Sequence, residues 1–175
     1  MKILFLGDSL AAYGPWEEYF PDHEIENLAM GGQIVDGVLA RLKRASEEIF
    51  NSDLVFIMVG INNLFFDDLF DLKEFITNYE KIVKLLKDRA PRAAVYVFSI
   101  IPVEIEYVSD IAVRKANSAI RDMADKEGIT FIDLYSIFKQ HSDYLSEDGV
   151  HLNEKGYYLW SEAIKPLNTE IRDRE

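Results

Sequence analysis

The chain has 175 residues, with 19 Lys+Arg against 31 Asp+Glu and a formal net charge of −12. That charge repels a phosphate backbone and no basic stripe offsets it, which excludes nucleic acid as a partner. The absence of cysteine excludes disulfides, thiolate metal sites and a Cys nucleophile. At 49% hydrophobic and 13% aromatic residues, the chain is too apolar for disorder, and a single domain over residues 1–175 is expected.

Three histidines, His23, His141 and His151, are too few for a His-rich metal centre. No apolar run approaches the ~20 residues of a membrane span. The first residues lack the apolar stretch of a signal peptide, so the cytoplasm is the expected location.

Residues 3–6 form a short continuous apolar run, as expected of a strand buried on both faces. Gly7-Asp8-Ser9-Leu10 follows it. Trp16, soon after, reads either as a pocket wall or as an anchor for a short helix. Residues 24–28 give a second strand, leading into Ala29-Met30-Gly31-Gly32-Gln33. Val35, Val38, Leu39, Leu42 and Ile49 share one helical face. Residues 54–59 form the third strand, followed by Gly60-Ile61-Asn62-Asn63 and then Phe65, Phe66 and Phe70. The acidic trio Asp67, Asp68 and Asp71 reads as a solvated rim.

A second helical stripe runs through Leu72, Phe75, Tyr79, Ile82 and Leu86 and stops before Pro91. After the fourth strand, 95–100, residues 102–110 carry little pattern and read as a lid, with Tyr107 a substrate contact or a plain surface aromatic. Ala112, Ala116, Ile120 and Met123 mark a third helix closed by Gly128, and residues 130–132 a fifth strand. Asp148-Gly149-Val150-His151 then precedes a last helix through Trp160, Ile164 and Leu167.

This alternation predicts an α/β domain on a mainly parallel five-stranded sheet. In the order 2-1-3-4-5, ligands bind beyond the carboxyl ends of the strands, where the winding reverses. Four loops place small or polar residues there. Singly, each has a plain reading as a turn, a cap or a surface pair. Together they supply an acyl-transfer site. Ser9 is a nucleophile that needs a base; His151 is suited to that role, and Asp148 can orient its ring. The backbone N–H groups of Ser9 and Gly32 and the amide of Asn62 can serve as oxyanion donors.

These blocks resemble the SGNH (GDSL-type) hydrolases. Gly7-Asp8-Ser9-Leu10 is similar to the first block, Gly32 and Asn62 to the glycine and asparagine of the second and third, and Asp148 and His151 to the last. The resemblance selects Gly32 over Gly31 as the donor. It implies a flavodoxin-like three-layer α/β/α sandwich and ester hydrolysis without metal or other cofactor. Ala29 and Gln33 depart from the usual second block, and Asn63 stands where the third usually carries Asp. Ser99 to Val103 and Asn117 are similar to the branch of platelet-activating-factor acetylhydrolase-like esterases.

The substrate implied is a small neutral ester, of O-acetyl or lysophospholipid type, rather than an acyl-CoA that the acidic chain would repel. Phe65, Phe66 and Tyr107 are candidates for its pocket, or Phe65 and Phe66 cap the core. A non-catalytic carbohydrate-binding module on the same fold is the alternative. A nucleotide site is disfavoured because no Lys follows the glycines, an α/β-hydrolase proper because no Gly-x-Ser-x-Gly elbow occurs, and a metal-dependent deacetylase because His151 and Asp148 are too few ligands. His23 and His141 read as surface residues.

Overall fold

The computed structural model describes residues 1–66 and 70–172. Five strands, β1 (Lys2–Gly7), β2 (Glu24–Asn27), β3 (Leu54–Met58), β4 (Ala94–Phe98) and β5 (Thr130–Ile132), form one all-parallel sheet in the order β2-β1-β3-β4-β5. Every β3 residue is buried, as its unbroken Leu-Val-Phe-Ile-Met run requires at the centre of a covered sheet. The edge strand β2 keeps polar, partly exposed residues. Sheet order and the sequence-based strand positions agree to within two residues at each end.

One helical layer consists of α3 (Val35–Arg44), α5 (Leu72–Arg89) and α6 (Asp110–Glu127), packed in that succession. The other face is covered by α8 (Glu154–Arg172) and the short α2 (Trp16–Tyr19). There Phe5, Phe56 and Phe98 stand side by side on neighbouring strands. Trp16 stacks on Phe5 at 4.4 Å, and Trp160 of α8 meets Trp16 and Phe98 edge-on. Trp16 is fully buried, with its indole N–H given to the Ala11 carbonyl at 2.7 Å. It is therefore an anchor and not a pocket wall.

The helical stripe that includes Ile49 is interrupted. Helix α3 stops at Arg44, and Ile49 lies in a separate 3₁₀ turn, Glu47–Asn51, beyond an extended Ala45. The short helices α1 (Ser9–Ala12), α4 (Ile61–Phe66) and α7 (Leu134–Phe138) hold too few turns to leave a periodic signal. Asp71 is exposed, and it is also the N-cap of α5, accepting the N–H groups of Lys73 and Glu74. Asp67 and Asp68 lie outside the described residues. His23 is half-buried with its ring edge-on to Phe20, whereas His141 is exposed. Among the described residues no helix is long and apolar enough to cross a membrane.

Candidate active site

The carboxyl ends of β1 and β3 adjoin so closely that a Cβ on Gly7 would fall 1.9 Å from the Met58 carbonyl oxygen. The chain leaves β1 there and turns into α1. Asp8 caps that helix, its Oδ1 accepting the Leu10 N–H at 3.1 Å. Ser9 is the first helical residue and is buried. Its Oγ lies 2.9 Å from His151 Nε2, and His151 Nδ1 lies 2.5 Å from Asp148 Oδ2. A carboxylate on Nδ1 leaves Nε2 unprotonated and facing the hydroxyl, which is the tautomer a base requires.

The loop that carries Asp148 and His151 is closed on itself. Leu145 and Leu152 form an antiparallel bridge, and the Ser146 N–H donates to the His151 carbonyl at 2.7 Å. Asp148 Oδ1 accepts the N–H groups of Val150 and His151, both at 2.9 Å. Asn153 donates to the carbonyls of Asp143 and Leu145 and accepts from Gly156, fastening the loop to the start of α8. The hydrogen bond from His151 comes first among the causes that hold the Asp148 carboxyl down at about 2.

Two further loops converge on Ser9. Asn62, in the first turn of α4, donates through Nδ2 to the Gln33 carbonyl at 2.9 Å. That bond uses one amide hydrogen and leaves the second for another acceptor. Asn63 Oδ1 accepts the Val35 N–H at 3.1 Å. Gly32 has φ +73°, with nothing within 4 Å of where a Cβ would stand, so glycine is needed for its backbone conformation and not for space. Asn27 ties the end of β2 to α1, donating to the Ala11 carbonyl at 3.1 Å and accepting from Ala29.

Asp8 is wholly buried. Burial pushes its carboxyl up to about 7, against the pull of the backbone N–H groups of Leu10 and Gly60. Its Oδ2 lies outside hydrogen-bonding geometry with any described partner.

Phe65 and Tyr107 stand edge-to-face at 6.1 Å, with Tyr107 77% exposed. Phe65 is one helical turn beyond Asn62 and so on the same side of α4. The Phe66 side chain lies outside what the structure describes. Residues 102–110 are irregular but tied down: the Glu104 N–H donates to the Gly149 carbonyl at 2.7 Å, and the Tyr144 hydroxyl to the Pro102 carbonyl at 3.2 Å. Asn117 exchanges two hydrogen bonds with the Ile100 backbone, and Ser99 Oγ accepts from the Tyr135 N–H. Both residues therefore shape the turn after β4. Sequence reasoning missed Tyr13, whose ring lies 5.6 Å from that of His151. Its position four residues after Ser9, one helical turn on, was the available signal.

Ser9, His151 and Asp148 thus stand in one hydrogen-bonded run beyond the carboxyl ends of the strands, an arrangement with the chemistry acyl transfer needs. Residues 5–159 match the GDSL-like Lipase/Acylhydrolase family, and the chain belongs to it. Platelet-activating factor acetylhydrolase IB subunit alpha2 from Homo sapiens is 31% identical over 104 residues, which are 57% of this chain and 44% of that protein. The match thus takes in less than half of that relative. The alpha1 subunit from Bos taurus is 29% identical over 177 residues, 95% of this chain and 74% of that protein. A carbohydrate esterase family 3 structure from Talaromyces cellulolyticus shares the fold, with a TM-score of 0.83 at 20% identity over 99% of each chain.

Proposed function

We propose that this protein hydrolyses a small neutral carboxylic ester through an acyl-enzyme formed on Ser9. The observation that carries this reading is the run Ser9 Oγ to His151 Nε2 to Asp148, at 2.9 and 2.5 Å. His151 Nε2 takes the hydroxyl proton as Oγ adds to the ester carbonyl. The resulting oxyanion is met by the N–H groups of Ser9 and Gly32 and the free amide hydrogen of Asn62. The tetrahedral intermediate collapses, the C–O bond to the alcohol breaks, and His151 returns the proton to the departing oxygen. Water then adds to the acyl-serine with the same base, releasing the carboxylic acid and Ser9.

The relatives named as acetylhydrolases support an acetyl-sized acyl group. The pair of Phe65 and Tyr107 offers it an apolar wall beside Asn62. The charge of −12 favours neutral esters over anionic thioesters.

Ser9→Ala is expected to abolish hydrolysis of p-nitrophenyl acetate and labelling by a fluorophosphonate, while circular dichroism stays that of the wild type. Retention of both activities would overturn the assignment. Among the described residues no group of three or more His, Asp or Glu could hold a metal ion, and activity is expected to survive EDTA. Loss of activity on chelation, restored by a divalent cation, would contradict a purely organic mechanism.

A further inference from the structure

Tyr13 has no role in the core: it is 62% exposed. Its backbone N–H bonds to the Ser9 carbonyl at 3.1 Å, which places its side chain one helical turn beyond the nucleophile on the same face of α1. One edge of its ring is tilted 41° against His151, with centroids 5.6 Å apart. Its hydroxyl reaches the second glycine loop, where a Cβ on Gly31 would fall 2.7 Å from the Tyr13 oxygen and 4.0 Å from Ser9 Cβ. Gly31 is thus small because Tyr13 is large. Tyr13 spans from the base to the loop of the oxyanion donor and walls one side of Ser9. Met30 and Ile34, flanking the same loop, are also exposed apolar residues.

Position relative to His151 tells which half of an ester meets this wall. The departing alcohol oxygen must lie within reach of Nε2 to receive its proton. The alcohol therefore leaves past His151, beside Tyr13.

We infer that Tyr13 determines specificity for the alcohol half of the substrate, offering an exposed aromatic face that selects esters whose alcohol carries a ring, sugar or aryl, over esters of small aliphatic alcohols. This rests on the hydrolase reading above. An aromatic face gains from a stacked ring and gains little from an ethyl group. Rigid placement by Ser9, His151 and Gly31 means that little ordering accompanies binding.

The test compares wild type, Tyr13→Ala, Tyr13→Phe and Gly31→Ala on benzyl acetate, acetylated methyl xyloside and ethyl acetate, whose alcohols are similarly poor leaving groups. An acyl series of ethyl acetate, butyrate and hexanoate runs alongside. Tyr13→Ala is expected to lower kcat/KM for the two ring-bearing acetates about tenfold, mostly through KM, and for ethyl acetate much less. Tyr13→Phe keeps the ring preference. Gly31→Ala, whose methyl displaces the Tyr13 hydroxyl, loses part of it. The acyl order and the pH profile stay as in the wild type.

An equal loss on all three acetates with a shifted pH profile would show that Tyr13 acts only through His151 and would overturn the inference. So would a change confined to the acyl series. Fluorophosphonate labelling of Ser9 separates this failure from a deeper one. A labelled, active enzyme with no ring preference sinks only the role of Tyr13. An enzyme neither labelled nor active on any ester sinks the hydrolase reading itself.

Discussion

Asp148 divides two tasks between its two oxygens: Oδ1 holds the turn and Oδ2 holds the imidazole. Asp148→Asn preserves an acceptor for the turn and removes the carboxylate from the ring. It is expected to lower kcat by roughly 10³–10⁴-fold with an unchanged melting temperature. A variant with near-wild-type kcat would show that His151 is oriented by other means. Because hydrogen bonding holds the carboxyl at about 2, its contribution to stability is present above the usual carboxylate range and is lost only as the pH falls towards 2. Asn62→Ala removes one oxyanion donor and should cost roughly 10²–10³ in kcat with little change in KM; steady-state kinetics on p-nitrophenyl acetate decide it. Asp8 has the opposite sign. With its carboxyl raised from 3.8 to about 7, the folded chain keeps a proton that the unfolded chain releases. Stability thus falls as the pH rises between those values and levels off above about 7. Asp8→Asn should flatten the melting temperature across that window, and parallel curves for variant and wild type would refute this.

At the level of elements, the site depends on strand ends that meet at van der Waals distance. A Cβ on Gly7 would overlap the Met58 carbonyl, so Gly7→Ala must part β1 from β3 at the point where Ser9 is launched. Its expected cost is about 3 kcal/mol or more, measured by urea denaturation; wild-type stability would mean the two strands can separate without penalty. The loops proposed as catalytic were singled out because three follow predicted strands and the fourth pairs an acid with a base: Gly7 to Leu10, Gly31-Gly32, Asn62, and Asp148 with His151. Tyr13 was not, since it caps a four-residue helix and a single one-turn spacing from Ser9 does not make a periodic stripe. The roles of Asn63, Asn117 and Asp71 were hidden for a different reason. Each spends its side chain on backbone groups, some of them far off in sequence, and only the folded chain shows which ones.

Over the whole molecule, the order of the sheet followed from the succession of strands and helices, because crossover handedness and burial on both faces leave few alternatives. The break after Arg44 and the tethering of residues 102–110 to Gly149 depend on contacts between distant segments, and no local pattern encodes them. The same long range governs the nucleophile and its base, which are 142 residues apart. On a translating ribosome, Ser9 therefore emerges 142 residues before His151. Between those events β1, β3 and β4 can assemble around a hydroxyl that has nothing to take its proton. On the proposed mechanism the nascent chain is unreactive until His151 has emerged and reached Ser9. Fragments that stop short of residue 151 should ignore fluorophosphonates however well their strands form, so on the proposed mechanism reactivity reports that His151 has been made and brought to Ser9.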